Sequence, residues 1–489
     1  MIAAPRVRSE GRPIIFLIAA ILLSVHVIWQ MWLVLAAPYP AHYDYDEGVY
    51  AATAAAAAAG HRLYAPVFLS QPPLLIGVLA HTFGLFGRSL ASARAVIVGF
   101  SVLWLASLAA IAARGSRSRA ALWAVAIAGS APALMAASHT VQMEGPSEAL
   151  AALAVALGLA AGGDRGVDRA VGRGETLRWG MAGVAAGLAV MTKFTAATCL
   201  IPLAAALVAA GPAVLKRITV RAAALAAGGA LAAGATIVWI GSPPAEIWRQ
   251  TVAFHRAVAG VNAVDPGRTL LLLLAFAAAN WLLVVLGLAG LVYGAGVWRA
   301  GAAPQRAVAA WLAADLAAVF LWRPVWPHHL VVLVTPLAVL AAAAVEGGRR
   351  EPPHVRTAVA GILLIAWLAA LTATAAASAP ETSAPLHAAV RQTARSVPAG
   401  AWVLSDDPIV PFLAGRDVPP ALCDTSEMRI RARWLTAGTL TAALADPRVR
   451  GVVLWRGTFR ASFPRFVDEA LKDFPRRWTA GGGRQILTR

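Results

Sequence analysis

Three carboxylates lie within four residues near the start of the chain: Asp44, Asp46 and Glu47. They follow the first long apolar run, residues 13–37. Crowding or burying carboxylates at a bilayer costs free energy, so such groups usually have a function. Asp46 could act as a general base on an acceptor hydroxyl, with Glu47 holding the substrate or the loop. Alternatively, Asp46 caps the following helix and Glu47 only complements the helix dipole.

The composition is that of a polytopic membrane protein. Only 13% of the 489 residues are charged and 59% are hydrophobic, whereas soluble domains average about 25% charged residues. The net charge of +18 is concentrated in short loops, where it sets membrane topology, and no nucleic-acid-binding motif accompanies it. We therefore expect no nucleic-acid partner. Cys199 and Cys423 are the two cysteines, which excludes a disulfide framework.

Apolar runs long enough to cross a hydrocarbon core of about 30 Å recur along the chain. They predict about eleven transmembrane helices, of which the two short ones near 179–212 are the weakest. The runs are 13–37, 93–113, 120–138, 146–162, 179–192, 196–212, 219–241, 269–294, 307–322, 329–346 and 357–378.

The basic loops predict the orientation in the membrane. Basic residues occupy every second loop, on the same side as the N-terminal arginines, and cytoplasmic loops are the basic ones. We predict a multi-pass cell-membrane protein with a cytoplasmic N-terminus, and with the 38–92 loop and everything after residue 378 extracytoplasmic. The basic residues are Arg6, Arg8, Arg12, Arg114, Arg117, Arg119, Arg165, Arg169, Arg173, Arg178, Lys216, Arg217, Arg221, Arg299, Arg306, Arg349, Arg350 and Arg356.

The first outer loop contains two predicted surface helices. The first begins after Asp46 and ends at Gly60, because Asp can cap a helix start and Gly a helix end. The second begins at Pro72-Pro73 and continues to His81. Both are too short or too polar to span a bilayer, so we expect them at the membrane surface.

The last part of the chain differs in composition from the rest. Residues 379–489 are charged and rich in Pro, and they alternate β-type runs at 401–405 and 451–455 with helical stretches at 385–396, 438–446 and 464–473. This alternation predicts a small α/β domain following a membrane domain at 1–378. Asp406 and Asp407 follow the first of these strands; they are interpreted as a solvated turn or as an acceptor-binding loop.

One series of residues resembles a known family. The series is Tyr45-Asp46-Glu47-Gly48-Val49-Tyr50-Ala51, then Gly60 and Tyr64, then Gln71-Pro72-Pro73-Leu74, then Arg94. It is similar to the integral-membrane GT-C glycosyltransferases of the protein-mannosyltransferase and aminoarabinose-transferase kind (glycosyltransferase family 39), over residues 10–345. The resemblance implies a polyprenyl- or dolichyl-phosphate sugar donor, inversion at the anomeric carbon and an acidic residue in the first outer loop.

Carried over residue by residue, the resemblance implies that Asp46 is the catalytic base beside Glu47. The second outer loop of the family has an acidic residue, which here is Glu144; its alternative role is that of a solvated carboxylate at a helix start. If Glu144 faces Asp46, the two could share a divalent cation.

The leaving lipid phosphate requires cationic or hydrogen-bonding partners. Aminoarabinose transferases have Lys before Pro-Pro, where this chain has Gln71, so the family's phosphate contact is not carried over. Lys193 and the pair His328-His329 could instead be residues of the membrane interface without a role in binding. The candidates for donor and phosphate binding are Tyr50, Arg62, Gln71, Arg94, Lys193, His328 and His329.

These observations predict a membrane hexosyl- or pentosyltransferase. It would move a sugar from a polyprenyl-phosphate donor in the membrane lipid to a glycan, lipid or protein acceptor on the outer face. Two alternatives stay open: a transporter of lipid-linked glycans, and a non-catalytic membrane assembly protein in which the acidic loop is incidental. Paired discontinuous or charged spans, the signature of a transporter, do not stand out in the sequence.

Overall fold

The computed structural model describes residues 12–36, 44–115, 119–162, 172–208, 215–297, 303–347, 353–377 and 384–489. The predicted boundary between the two domains, at 378/379, lies outside these residues. So do eight of the basic residues that predict the orientation: Arg6, Arg8, Arg117, Arg165, Arg169, Arg299, Arg349 and Arg350.

Helices dominate the first 377 residues. The helices are α1 (Arg12–Ala36), α2 (Tyr45–Ala58), α3 (Leu74–Phe86), α4 (Leu90–Gly115), α5 (Arg119–Gly129), α6 (Pro132–Ala137), α7 (Glu144–Gly162), α8 (Arg173–Thr192), α9 (Leu200–Val208), α10 (Leu215–Ile240), α11 (Pro244–Trp248), α12 (Phe254–Val261), α13 (Pro266–Ala279), α14 (Trp281–Val297), α15 (Ala303–Leu321), α16 (Val334–Gly347) and α17 (Pro353–Ala377). Two 3-10 segments precede α9 and α16, at Phe194–Cys199 and Pro327–Leu333, and a π-helical segment, Arg249–Ala253, joins α11 to α12.

In the part of the chain that the structure describes, each of the eleven apolar runs overlaps a helix or two consecutive helices. By length and composition, three helical segments of the described residues can cross a membrane: Leu90–Arg114, Lys216–Ile240 and Pro327–Gly347. A fourth candidate is the pair Pro244–Val261 and Pro266–Ala279, which is bent by 109°. The fold is therefore mainly helical as predicted, while the count of eleven spans remains a prediction.

Small residues allow the helices of the bundle to approach closely. A Cβ atom on Gly183 of α8 would lie 2.0 Å from the Leu225 carbonyl oxygen of α10, and one on Gly228 of α10 would lie 2.1 Å from the Gly180 carbonyl oxygen. Within a membrane, packing of this kind replaces the hydrophobic effect as the force that associates helices. The close contact explains the glycine spacing along α8.

The C-terminal residues form the predicted α/β domain. Its helices are α18 (Ala384–Ser396), α19 (Ile409–Leu413), α20 (Glu427–Arg431), α21 (Ala437–Leu444), α22 (Thr458–Ser462) and α23 (Pro464–Asp473). Its strands are β1 (Trp402–Ser405), β2 (Val449–Leu454), β3 (Arg476–Thr479) and β4 (Gln485–Thr488), in the order β1-β2-β4-β3. The pair β1/β2 is parallel, and the other two pairs are antiparallel.

The loop after β1 is not a solvated turn. Asp406 and Asp407 are both buried, and Oδ1 of Asp406 accepts hydrogen bonds from the backbone N–H groups of Trp455 (2.6 Å) and Arg456 (3.1 Å). The carboxylate thus fixes the chain just beyond the end of β2. Sequence alone did not distinguish this role, because its partners lie about fifty residues further along.

The C-terminal domain packs against helices α2 and α3. Buried residues of α2 and α3 share one apolar core with α19, including Val49, Leu75 and Ile409. A Cβ on Gly48 would lie 2.7 Å from the backbone nitrogen of Ile409, so only glycine allows this approach. The domain is therefore placed directly above the carboxylate cluster.

Candidate active site

Asp44, not Asp46, caps helix α2. The Asp44 side chain accepts a hydrogen bond from the Asp46 backbone N–H at 2.9 Å. The prediction that Asp46 caps the helix is therefore wrong, and Asp46 instead lies in the first turn with its carboxylate free of a capping role. The two aspartates therefore have different structural positions, one as the cap and the other within the helix.

The imidazole of His328 connects the acidic residues. Its Nδ1 lies 3.3 Å from Asp44 Oδ2, and its Nε2 lies 3.9 Å from Asp46 Oδ2 and 3.6 Å from Glu144 Oε1. Nε2 of His329 lies 3.8 Å from the same Glu144 oxygen. The structure thus brings together Asp44, Asp46 and Glu144 with the histidine pair, which the sequence analysis selected separately.

Lys193 completes this cluster. It is the C-cap residue of α8, and its ammonium group donates a hydrogen bond to Oε1 of Glu144, the first residue of α7. Both residues are buried, with exposures of 7% and 2%. Desolvation makes a buried charge costly unless it is paired, so the two helix ends hold each other in place.

Glu47 has a different environment from Asp46. It is fully buried, and its two carboxylate oxygens accept hydrogen bonds from the Arg94 guanidinium at 2.8 and 2.7 Å. One of those oxygens also accepts from the backbone N–H of Val141 at 3.0 Å. Glu47 and Arg94 therefore join α2, α4 and the loop before α7, and neither lines the cavity beside Asp46.

That cavity, of about 430 Å³, lies between α2, the 3-10 segment before α16, α12 and the C-terminal domain. Six of the residues selected from sequence line it: Asp46, Tyr50, Gln71, Lys193, His328 and His329. Arg62 is exposed and does not line it.

The C-terminal domain supplies lining residues that the sequence analysis missed. They are Asp424, Thr425, Ser426, Glu427, Met428, Arg456 and Thr458. Two of these residues contact Tyr45 at the start of α2. The backbone N–H of Thr425 donates to the Tyr45 hydroxyl at 3.0 Å, and the guanidinium of Arg456 lies 4.8 Å from the centre of the Tyr45 ring. No local motif in the sequence marks this segment.

The environment separates the two aspartates electrostatically. The pKa of Asp46 is raised to about 7. Burial is the largest cause, and the negative charge of the neighbouring Asp44 is the second. Burial acts in the same direction on Asp44, but the hydrogen bond and charge of His328 and the Asp46 N–H outweigh it and lower the pKa of Asp44. Burial raises the pKa of Tyr50 well above its ordinary value, so its phenol remains a neutral donor.

Glu144, His328 and His329 also have the residue types of a metal site, with ligand atoms within 4.8 Å of one another. However, the Lys193 ammonium already occupies a Glu144 oxygen. A divalent cation would have to displace this ammonium or lie against it, at a cost in Coulomb energy. These residues therefore fit an ion-pair network among side chains better than a site for a resident divalent ion.

A family model and several solved structures match this chain. Residues 70–239 match the family described as dolichyl-phosphate-mannose-protein mannosyltransferase. No curated protein sequence matches the chain significantly.

Solved structures show the same fold over nearly the whole chain. The apo crystal structure of ArnT from Cupriavidus metallidurans superposes with a TM-score of 0.67 at 16% identity, covering 96% of this chain and 97% of ArnT. The same protein bound to undecaprenyl phosphate gives 0.67 at 15% identity, with 96% and 97% coverage. The archaeal oligosaccharyltransferase AglB from Archaeoglobus fulgidus gives 0.55 at 14% identity, covering 89% of this chain and 69% of AglB. The chain therefore shares the fold of these solved structures, and the predicted resemblance to the integral-membrane GT-C glycosyltransferases is confirmed.

Proposed function

We propose that this protein is a membrane glycosyltransferase that moves a sugar from a polyprenyl-phosphate donor to an acceptor hydroxyl, with Asp46 as the base. The observation that carries the proposal is the cavity in which Asp46 faces cationic side chains, since Lys193, Arg323 and Arg456 line it. Similar folds support the donor class, because ArnT has been solved with undecaprenyl phosphate and AglB with a dolichol-phosphate and an inhibitory peptide.

The proposed reaction is a single displacement at the anomeric carbon. The acceptor oxygen forms a bond to this carbon while its proton passes to the Asp46 carboxylate. The bond from the anomeric carbon to the phosphate oxygen breaks, and its electron pair remains on the polyprenyl phosphate. Attack opposite the leaving group inverts the configuration, and no covalent sugar–protein intermediate forms.

The leaving phosphate gains negative charge in this step, so positive groups near it would lower the barrier. Lys193 is the candidate at the floor of the cavity, where α8 ends, and Arg323 is the candidate at its rim. Gln71 also lines the cavity and offers an amide donor in place of the lysine of the aminoarabinose transferases. The isoprenoid tail would lie among the helices, and we place the reaction on the extracytoplasmic face of the cell membrane.

The direct test is a transfer assay with the purified full-length protein in nanodiscs. We would supply a panel of polyprenyl-phosphate hexoses and pentoses and measure release or transfer of the sugar by mass spectrometry. Turnover of at least one donor, with an inverted anomeric centre in the product, is expected. A blank across the panel, together with bound lipid carrier, would favour a transporter or an assembly protein.

The pH dependence of transfer is a second expected outcome. Because only the deprotonated carboxylate of Asp46 accepts a proton, kcat/KM should rise with pH and level off above the raised pKa of Asp46, about 7. Asp44→Asn removes the neighbouring negative charge that helps to raise this pKa, so the midpoint should move to lower pH. A pH–rate profile of both proteins decides the matter; activity that rises as pH falls through 7 would contradict the base assignment.

A further inference from the structure

A second cavity lies on the C-terminal domain, where the end of β2 meets the turn between β3 and β4. It has a volume of about 400 Å³. Three arginines and three glycines contribute to its lining: Arg456, Arg460, Arg484, Gly457, Gly482 and Gly483. Since Arg456 also lines the cavity that contains Asp46, the two cavities adjoin.

The three guanidinium groups are not neutralised by salt bridges within the described residues. Arg484 lies over the Trp455 ring at 4.7 Å and Arg456 over the Tyr45 ring at 4.8 Å. Arg460 donates to the neutral amide of Gln485, and its buried Nε has no hydrogen-bond partner among the residues that the structure describes. Aromatic rings and one amide therefore orient these cations without cancelling their charge.

One acidic residue, Asp407, also contributes to the lining. It is fully buried, and its Oδ1 accepts a hydrogen bond from the Ile409 backbone N–H at 3.4 Å. Three arginines against one carboxylate leave the cavity with a net positive charge at neutral pH.

The backbone keeps this cavity open. Gly482 and Gly483 have φ angles of +73° and +75°, which side-chain-bearing residues rarely adopt. A Cβ atom at either position would meet nothing within 4 Å. Glycine therefore satisfies the turn and leaves the space beside the arginines free of side chains.

We propose that this cavity binds an anionic group of the acceptor, a phosphate or a carboxylate. Arginine donates paired N–H groups that match the oxygens of both anions. The shared wall at Arg456 then places the rest of the acceptor, with its hydroxyl, in the cavity of Asp46. The assignment to the acceptor rests on the proposed transfer reaction, while anion binding itself does not.

Anion binding is tested first with inorganic phosphate as the probe. We would titrate phosphate calorimetrically into the full-length protein in phosphatidylcholine nanodiscs, comparing wild type with Arg460→Gln/Arg484→Gln. Arg465→Gln is the matched control, because Arg465 is an exposed arginine of the same domain that lines neither cavity. The double variant should bind phosphate at least about tenfold more weakly, as expected for loss of charge-assisted hydrogen bonds, and the control should match wild type. Equal affinity in the double variant and the control overturns the proposal.

Two further arms identify the source of the anion and its role. The titration is repeated in phosphatidylglycerol nanodiscs. If a lipid headgroup fills the cavity, wild type binds phosphate more weakly there than in phosphatidylcholine; if the anion is soluble, the affinity is the same in both. In the transfer assay, phosphate should inhibit transfer to the acceptor more strongly in wild type than in the double variant, and more strongly than it inhibits sugar release to water. Equal inhibition of both proteins overturns the assignment to the acceptor. Absence of turnover by wild type would instead refute the transfer reaction, and the binding titration would still report on the cavity.

Discussion

Asp46→Asn is expected to lower kcat for sugar transfer by about 10³-fold, within the range that general-base catalysis contributes. The amide has nearly the same shape as the carboxylate but cannot accept the proton of the acceptor hydroxyl. Since Asp46 lies in the first turn of α2 without serving as its cap, the substitution should leave expression and thermal unfolding close to those of wild type. The measurement is single-turnover transfer from the polyprenyl-phosphate donor that wild type accepts.

Asp44→Asn is the matched control for this prediction. It changes the same atoms in the same segment, and Asn caps a helix about as well as Asp does. Transfer should therefore fall much less than in Asp46→Asn, with the shift in pH midpoint as its main effect. If Asp46→Asn keeps turnover near that of wild type, another group is the base; if both variants lose activity equally, the loss reflects the shared loop geometry.

Glu47→Gln is expected to destabilise the protein rather than to act on chemistry. The variant would leave the buried Arg94 guanidinium, 5% exposed, without its charged partner. Removing one member of a buried ion pair costs about 3–5 kcal/mol, a large part of the total stability of a typical fold. The expected result is a lower midpoint of thermal unfolding and a smaller monodisperse fraction in detergent. In the protein that remains folded, the pH midpoint of transfer should match that of wild type.

A half-exposed pair provides the control for the Glu47 prediction. Arg88 and Asp417 form a salt bridge between the first outer loop and the C-terminal domain, with side-chain exposures of 27% and 42%. Asp417→Asn should cost no more than about 1 kcal/mol, because solvent screens the pair.

The double variant Glu47→Gln/Arg94→Gln should be less destabilised than the sum of the single variants. Strict additivity would show that the two side chains do not act as a pair.

The local sequence was informative where the structure depends on short-range patterns. Apolar runs and basic loops predicted helices at each of the eleven positions, and alternation of strand and helix patterns predicted the C-terminal domain, including β1 and α23 within one residue of their ends. Asp46 and Lys193 were selected through the resemblance to a known family, and both line the cavity. The predicted helices and strands depend on hydrophobic periodicity and on residues that begin or end helices, and both are determined by residues close together in the sequence.

Long-range contacts decided what sequence patterns could not. Glu47 and Asp46 are adjacent in the chain, but only the approach of Arg94 and Val141 makes Glu47 a buried structural residue. Tyr45, the first residue of α2, likewise has a distant partner, because its hydroxyl accepts a hydrogen bond from the backbone N–H of Thr425, 380 residues away.

What the sequence by itself determined was the membrane composition, the order of the helices and the carboxylate, lysine and histidine types of the site. Those properties follow from local periodicity and from the cost of placing charge near a bilayer. Only the tertiary structure decided that Asp46 lines the cavity while the adjacent Glu47 is paired with Arg94, and that the C-terminal domain forms one wall of the cavity through Asp424 and Arg456. The physical reason is that burial and Coulomb interactions depend on distances in space, and residues hundreds of positions apart set those distances here.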